Sequence, residues 1–245
     1  LFRSNKLGMD GVANNVKIMV VRVVPDGDER DKDVANGIRY AVDNGAKIIN
    51  MSFGKSVSYD KGAVDSAVKY AESKGVLLIH AAGNSGQDND VALNYPNDSI
   101  RETNEFASNW IEVGASGPEL KKLAADFSNY GKNNVDVFAP GVSIWSTIPN
   151  GKYANFQGTS MASPVCAGVA ALVWSYFPSL TYSEVKEIIL KSAKPIVKPV
   201  PAPTDNESSN GQAGSTVNFS ELSVTGGVIN AKEAVKLAMA KTGTK

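Results

Sequence analysis

The chain has 245 residues, 42% of them hydrophobic and 20% charged, which is enough apolar material for one globular domain with its own core. Its 25 basic residues balance 25 acidic ones, so no basic field is available to hold a phosphate backbone, and nucleic acid is excluded as an expected partner. No apolar run reaches the roughly 18 residues of a membrane helix, and the single cysteine, Cys166, excludes an internal disulfide and any cysteine-based metal cluster.

The start, Leu1-Phe2-Arg3-Ser4, has neither an initiator Met nor the layout of a signal peptide, and reads as a cut. Residues 17–24 (KIMVVRVV) read as a buried strand. Asp33 is placed to cap a helix with Val34, Ile38, Ala41 and Val42 inward, and Gly45 is placed to end it. A strand over 47–51 comes next. The unit then repeats: Asp60 or a neighbour opens a helix with Val64, Ala67, Val68 and Ala71 inward, Gly75 stops it, and 76–81 is the next strand. This alternation predicts an α/β domain whose mostly parallel sheet is covered on both faces.

After the turn-rich stretch 83–98, residues 110–113 and 135–138 read as short strands. Ala139-Pro140-Gly141 reads as a turn and 143–148 as a further extended piece. Residues 161–176 are apolar or small on nearly every face and predict a helix buried on all sides, with Pro164 tolerated in its first turn and Cys166 as a small buried hydrophobe. Thr181 with Glu184, and Asn230 with Glu233, have capping-box spacing and open helices over 182–192 and 231–240. Residues 194–220, rich in Pro, Ser, Asn and Gly, read as a long surface excursion within a single domain spanning 1–245.

The sharpest chemical feature is Gly158-Thr159-Ser160-Met161-Ala162-Ser163-Pro164, a serine delivered by a glycine turn to the start of a buried helix. A helix N-terminus supplies free N–H groups and a positive dipole end, which suit a nucleophile that passes through an oxyanion. Taken alone the segment supports two readings, a nucleophile or a Ser and Thr that only cap a helix. Asn84, in Gly83-Asn84-Ser85-Gly86, is likewise a turn residue or a donor.

The run GTSMASP, followed by AGVAALV, resembles the serine motif of the subtilisin-like serine proteases, the subtilases. Further segments fall in that family's order: Ile49-Asn50-Met51-Ser52-Phe53-Gly54, Ala81-Ala82-Gly83-Asn84-Ser85-Gly86, Phe127-Ser128-Asn129-Tyr130-Gly131, Val135 to Gly141, and Gly226 to Ala231. The resemblance implies a three-layer α/β/α domain and a serine endopeptidase in which Ser160 attacks a peptide carbonyl and Asn84 holds the oxyanion. It implies that Ser52, Phe53 and Gly54 pair with substrate backbone, and that Ala81, Ala82 and Gly83 line the other wall of a side-chain pocket. Thr159 and Gln157, beside the nucleophile, are counted with the substrate-facing residues; Phe53 and Gln157 either shape specificity or fill space.

A serine hydrolase also needs a general base and a carboxylate to orient it. The only histidine, His80, lies four residues before Asn84 in a predicted strand and reads as a packed core residue. Gly8-Met9-Asp10-Gly11-Val12-Ala13 resembles the stretch just after the family's histidine helix, so the chain is expected to be the C-terminal part of the domain, without the triad Asp and His. The alternative expectation is an inactive subtilisin-like module that binds peptide or serves a structural role. The second glycine of Gly-x-Ser-x-Gly is absent and no His comes after Ser160, which excludes an α/β-hydrolase. No Gly-x-Gly-x-x-Gly or zinc-ligand cluster is present. The expected partners are a peptide or protein substrate and either the chain's own N-terminal segment or a second copy. No cofactor is expected, the resemblance brings calcium in only for the intact domain, and it implies a place outside the cytoplasm.

Overall fold

In a computed structural model, residues 8–204 and 215–244 are described. The chain forms α1 (Asp31–Asp43), β1 (Ile48–Met51), α2 (Lys61–Ser73), β2 (Leu77–Ala81), a small pair β3 (Ser99–Ile100) and β4 (Glu105–Phe106), and then β5 (Trp110–Ser116). It continues through β6 (Val137–Pro140), the hairpin β7 (Ile144–Ile148) and β8 (Lys152–Phe156), α3 (Thr159–Tyr176), α4 (Tyr182–Ser192), β9 (Pro199–Pro201), β10 (Thr216–Asn218) and α5 (Ala231–Thr242). The central sheet has the order β1-β2-β5-β6 and is parallel throughout.

Strand periodicity sorts the core into two layers. Leu77, Ile79, Ile111 and Val113 point to the face covered by α3, α4 and α5, whereas Met51, Leu78 and Trp110 point to the face covered by α1 and α2. Both faces of β2 and β5 are therefore dry, which is why their sequences are mostly apolar, His80 and Glu112 being the titratable exceptions. The α/β architecture with a parallel sheet matches the expectation. Asp60 caps α2 by accepting from Ala63 N, and Thr181 and Glu184 form a complete capping box on α4. Gly45 and Gly75 take positive φ just past α1 and α2, as their placement predicts.

Several expectations are corrected. Residues 17–24 form no strand: Ile18 is 57% and Val20 87% exposed, and the segment runs past β1 without hydrogen-bonding to it. A strand needs a ladder partner as well as apolar composition. α1 begins at Asp31, two residues before the predicted cap, because the Asp31 carboxylate is drawn to Lys55 Nζ at 2.8 Å and Asp60 N at 2.7 Å. α3 begins at Thr159 and is not enclosed on all sides, since Tyr176 at its end is 73% exposed. β8 is not among the expected strands. The two ends of the 194–220 excursion pair as β9 and β10 and bury Val200 and Phe219 against Phe138, so they are core rather than free surface; its middle, 205–214, lies outside the described residues. Cys166 is buried in α3, and burial pushes its thiol far up, as suits an inert hydrophobe.

Candidate active site

Two glycines set Ser160 in place. Gly158 has φ +148, a backbone conformation that side-chain-bearing residues rarely take, and its N–H donates to Gly141 O at 2.8 Å. A Cβ on Gly141 would lie 2.6 Å from the Ala115 methyl, so only glycine lets this turn press against the ends of β5 and β6. The chain then enters α3 at once, leaving Ser160 in the helix's first turn, where backbone N–H groups have no preceding carbonyl to bond.

Ser160 is laced to the end of β1. Its Oγ donates to Ser52 O at 3.1 Å, and Ser52 Oγ donates to Ser160 O at 2.9 Å. Behind them Asn50 Nδ2 donates to Ser52 Oγ at 2.9 Å and Ser163 Oγ donates to Asn50 Oδ1 at 2.7 Å. The carboxamide of Asn84 is oriented just as firmly. Its Oδ1 accepts from Thr159 N at 2.8 Å and from Thr159 Oγ1 at 3.0 Å. A backbone N–H can only donate, so the atom facing it is oxygen, and the NH2 edge is left to donate elsewhere. Thr159 Oγ1 also accepts from Gly83 N at 3.1 Å, which ties the Asn84 turn to the serine turn.

Five of the sequence-predicted residues, Ser52, Gly83, Asn84, Thr159 and Ser160, are thus joined by hydrogen bonds. Phe53 and Gly54 continue from Ser52, and Ala81 and Ala82 lead into Gly83. Gln157 stands exposed at the approach to Gly158, with no hydrogen bond to the others among the described residues. Sequence reasoning gave no role to the asparagines that hold the walls. Asn94 Nδ2 donates to Ala81 O and Ala82 O at 3.3 and 3.1 Å, and its Oδ1 would lie 2.8 Å from a Cβ on Gly54, so this side chain bridges the two walls. Asn129 accepts from Ser85 N and Gln87 N at 2.9 and 3.2 Å and braces the Asn84 turn. The turn-rich composition of 83–98 is the local signal for Asn94, and Asn129 falls in the family-like segment Phe127 to Gly131.

His80 is fully buried on the sheet face turned towards α1 and α2, beside Trp110 at 5.2 Å between ring centroids. Its Nδ1 faces the Glu112 carboxylate at 2.9 and 3.0 Å, and its Nε2 lies 2.7 Å from Phe53 O. Both nitrogens are occupied and neither is offered to Ser160. Burial pushes the imidazole pKa down, but the charge and hydrogen bond of Glu112, the Phe53 carbonyl and the nearby Glu29 outweigh it and hold the value above normal.

Among the described residues no group of three or more His, Cys, Asp or Glu is gathered to hold a metal ion. The most heavily bonded loop carboxylate, Asp90, accepts from the N–H and side-chain amide of both Asn133 and Asn134, so its lone pairs serve donors rather than a cation.

Comparisons with known proteins agree with this geometry. The family model described as "Subtilase family" matches residues 2–220. Among curated proteins, thermitase of Thermoactinomyces vulgaris is 42% identical over 173 residues, covering 70% of this chain and 56% of the relative. Subtilisin DY of Bacillus licheniformis is 37% identical over 193 residues, covering 77% and 65%. The chain therefore spans about half to two-thirds of these relatives. Among solved structures, the patellamide maturation protease PatA superposes with a TM-score of 0.74 at 27% identity, covering 98% of this chain and 81% of that one. Sphericase gives 0.68 at 31% identity, covering 79% and 66%. With the serine motif at the head of α3, the asparagine turn hydrogen-bonded to it, and a family match across most of its length, the chain belongs to the subtilase family.

Proposed function

We propose that the protein is a serine endopeptidase that hydrolyses peptide bonds through an acyl-enzyme on Ser160, with the Asn84 carboxamide and the Ser160 N–H as oxyanion donors. The observation that carries this reading is the orientation of Asn84: Thr159 holds its oxygen, which frees its NH2 for an oxyanion beside Ser160. In the reaction Ser160 Oγ attacks the carbonyl carbon while a base takes its proton. The tetrahedral oxyanion collapses as the amine leaves with that proton, and water then releases the acid by the same route. No step needs a cofactor.

The base comes from outside residues 1–245 in this account. His80 is buried with both nitrogens engaged, so a second histidine and its orienting aspartate are required, and the geometry offers a place for them. Between the extended segment 16–23 and the free edge of β1 lies an apolar slot of about 1310 Å³, lined by Ile18, Met19, Val21, Ile48, Ile49 and Met51. A strand paired to β1 in this slot, running parallel to it, would end beside Ser52 and Ser160, where the base is needed. We assign the slot to an N-terminal segment of the same protein, making 1–245 a part of one catalytic domain; a second copy of the chain is the competing occupant. On family grounds alone we place the protein outside the cytoplasm or on the cell surface. Among the described residues no helix is long and apolar enough to cross a membrane.

A second reading, an inactive peptide-binding module, draws on one observation: the Ser160 hydroxyl donates to Ser52 O rather than to a base. Casein hydrolysis by a longer gene product carrying the proposed Asp and His separates the two. The protease reading expects activity that Ser160→Ala abolishes. Absence of activity in the unsubstituted longer protein, with the fold intact, favours the module.

A further inference from the structure

In a sheet packed mainly with apolar side chains, β2 and β5 place a histidine and a glutamate side by side, paired in register and closed off from water. Every polar atom of the pair is used. Glu112 accepts from His80 Nδ1 and, through Oε2, from Trp110 Nε1 at 2.7 Å, while His80 Nε2 donates to Phe53 O. A buried pair of this kind costs desolvation that an aliphatic pair would not, so it stabilises the fold no better than Leu or Val would. Its value lies in where the second ring nitrogen points.

We infer that His80 is a positioning residue for substrate: clamped by Glu112, it fixes the Phe53 carbonyl inward and thereby turns the Gly54 N–H outward, as a donor for the backbone of a bound peptide. The step from carbonyl to N–H is covalent. A trans peptide unit is planar with its C=O and the following N–H opposed, so holding Phe53 O against His80 sets the direction of Gly54 N–H. Ser52 O points the other way along the same segment, to Ser160 Oγ, as alternation in an extended chain requires. The next residue is anchored too: Lys55 N donates to Tyr95 O, and Lys55 Nζ is held by Asp31 and by Glu29 O. Phe53–Gly54 is the peptide unit that these anchors leave free, and His80 holds it.

The charged groups around the ring favour the doubly protonated form. Glu112 faces it from β5, and Glu29 approaches from the segment before α1, with Lys55 beside it. Asp136 and Asp98 stand behind Glu112, and Lys186 of α4 offsets both. With its folded pKa raised, the histidine contributes stability in full below about pH 6.5, and that contribution fades as pH rises through the higher folded value.

This inference rests on the protease reading for its substrate but not for its test. Because His80 is the only histidine, a 15N-labelled sample of the chain reports one imidazole. The imidazole is expected to titrate above the ordinary histidine range, and Glu112→Gln is expected to bring that titration down. An imidazole that titrates normally in the unsubstituted chain overturns the clamp. In the longer protein carrying the proposed base, His80→Leu is expected to raise KM for a tetrapeptide substrate about ten-fold more than for a single-residue ester, which cannot reach Gly54, with partial recovery in His80→Gln. Equal losses on both substrates overturn positioning and leave His80 structural. Should His80→Leu fail to fold because Glu112 is left unpaired, the double variant with Glu112→Met carries the same comparison. If the unsubstituted longer protein turns over neither substrate, the protease reading fails, and the Gly54 amide signal under tetrapeptide titration decides: a shift that His80→Leu removes supports the inference, and the same shift in both overturns it.

Discussion

Asn84→Ala is expected to lower kcat about 10²–10³-fold in the protease complete with its base, with KM nearly unchanged, because in the proposed mechanism the carboxamide meets an oxyanion that exists only after Ser160 attacks. That magnitude is the one established for the corresponding donor in subtilisin, a member of this family. The present geometry adds the reason the donor is ready beforehand: Thr159 N and Oγ1 grip Oδ1, so no reorientation accompanies the reaction. The loss should come without a comparable fall in stability, since Asn84 is exposed and only its oxygen is engaged. Steady-state kinetics beside a thermal melt check both halves. A rise in KM with kcat intact would mean that Asn84 binds ground-state substrate instead.

The second large effect concerns the slot beside β1. Ile18 and Met19, which line it, are 57% and 41% exposed, and apolar surface of this kind attracts a partner. The purified chain is expected to self-associate or to carry a second polypeptide. Adding the proposed N-terminal segment as a separate peptide should convert it to a one-to-one complex and raise Tm by several degrees. Covering two such side chains contributes roughly 3–5 kcal/mol before the entropy of ordering the peptide is subtracted. Sedimentation and melting curves with and without the peptide test this. A clean monomer of 25.9 kDa, well folded and indifferent to the peptide, would remove the slot's role as a docking site for a missing strand.

The contrast between β2 and residues 17–24 shows what apolar patterning can reveal. Both are short, strongly apolar runs, but only β2 has neighbours on each side, and nothing in the composition of 17–24 says whether a partner strand is present. Helix starts that depend on a residue within one turn, Asp60 and Thr181, are legible because the cap and its N–H are local. The start of α1 is not, because Asp31 is claimed by Lys55 from 24 positions further along the chain.

The site divides in the same way. Ser160 and Asn84 sit in contiguous motifs that the sequence displays directly. Asn94 and Asn129, which brace the walls, act on residues 12 and more positions away, so their segments can be read from the sequence but their roles cannot. His80 reads correctly as a core residue, but its partner and the carbonyl it holds become visible only once β5 is placed beside β2. One signal was available: Glu112 interrupts the apolar strand Trp-Ile-Glu-Val-Gly-Ala, and a carboxylate in a strand buried on both faces calls for a buried donor.

The most direct test of the central claim is fluorophosphonate labelling followed by peptide mass spectrometry. It should be run on the chain alone and on the longer protein that supplies the proposed aspartate and histidine. The account predicts label on Ser160 in the longer protein and none on the chain alone, whose single histidine is committed to Glu112 and Phe53. An unlabelled Ser160 in the folded longer protein would contradict it, and a labelled Ser160 in the chain alone would show that a base already lies within these residues.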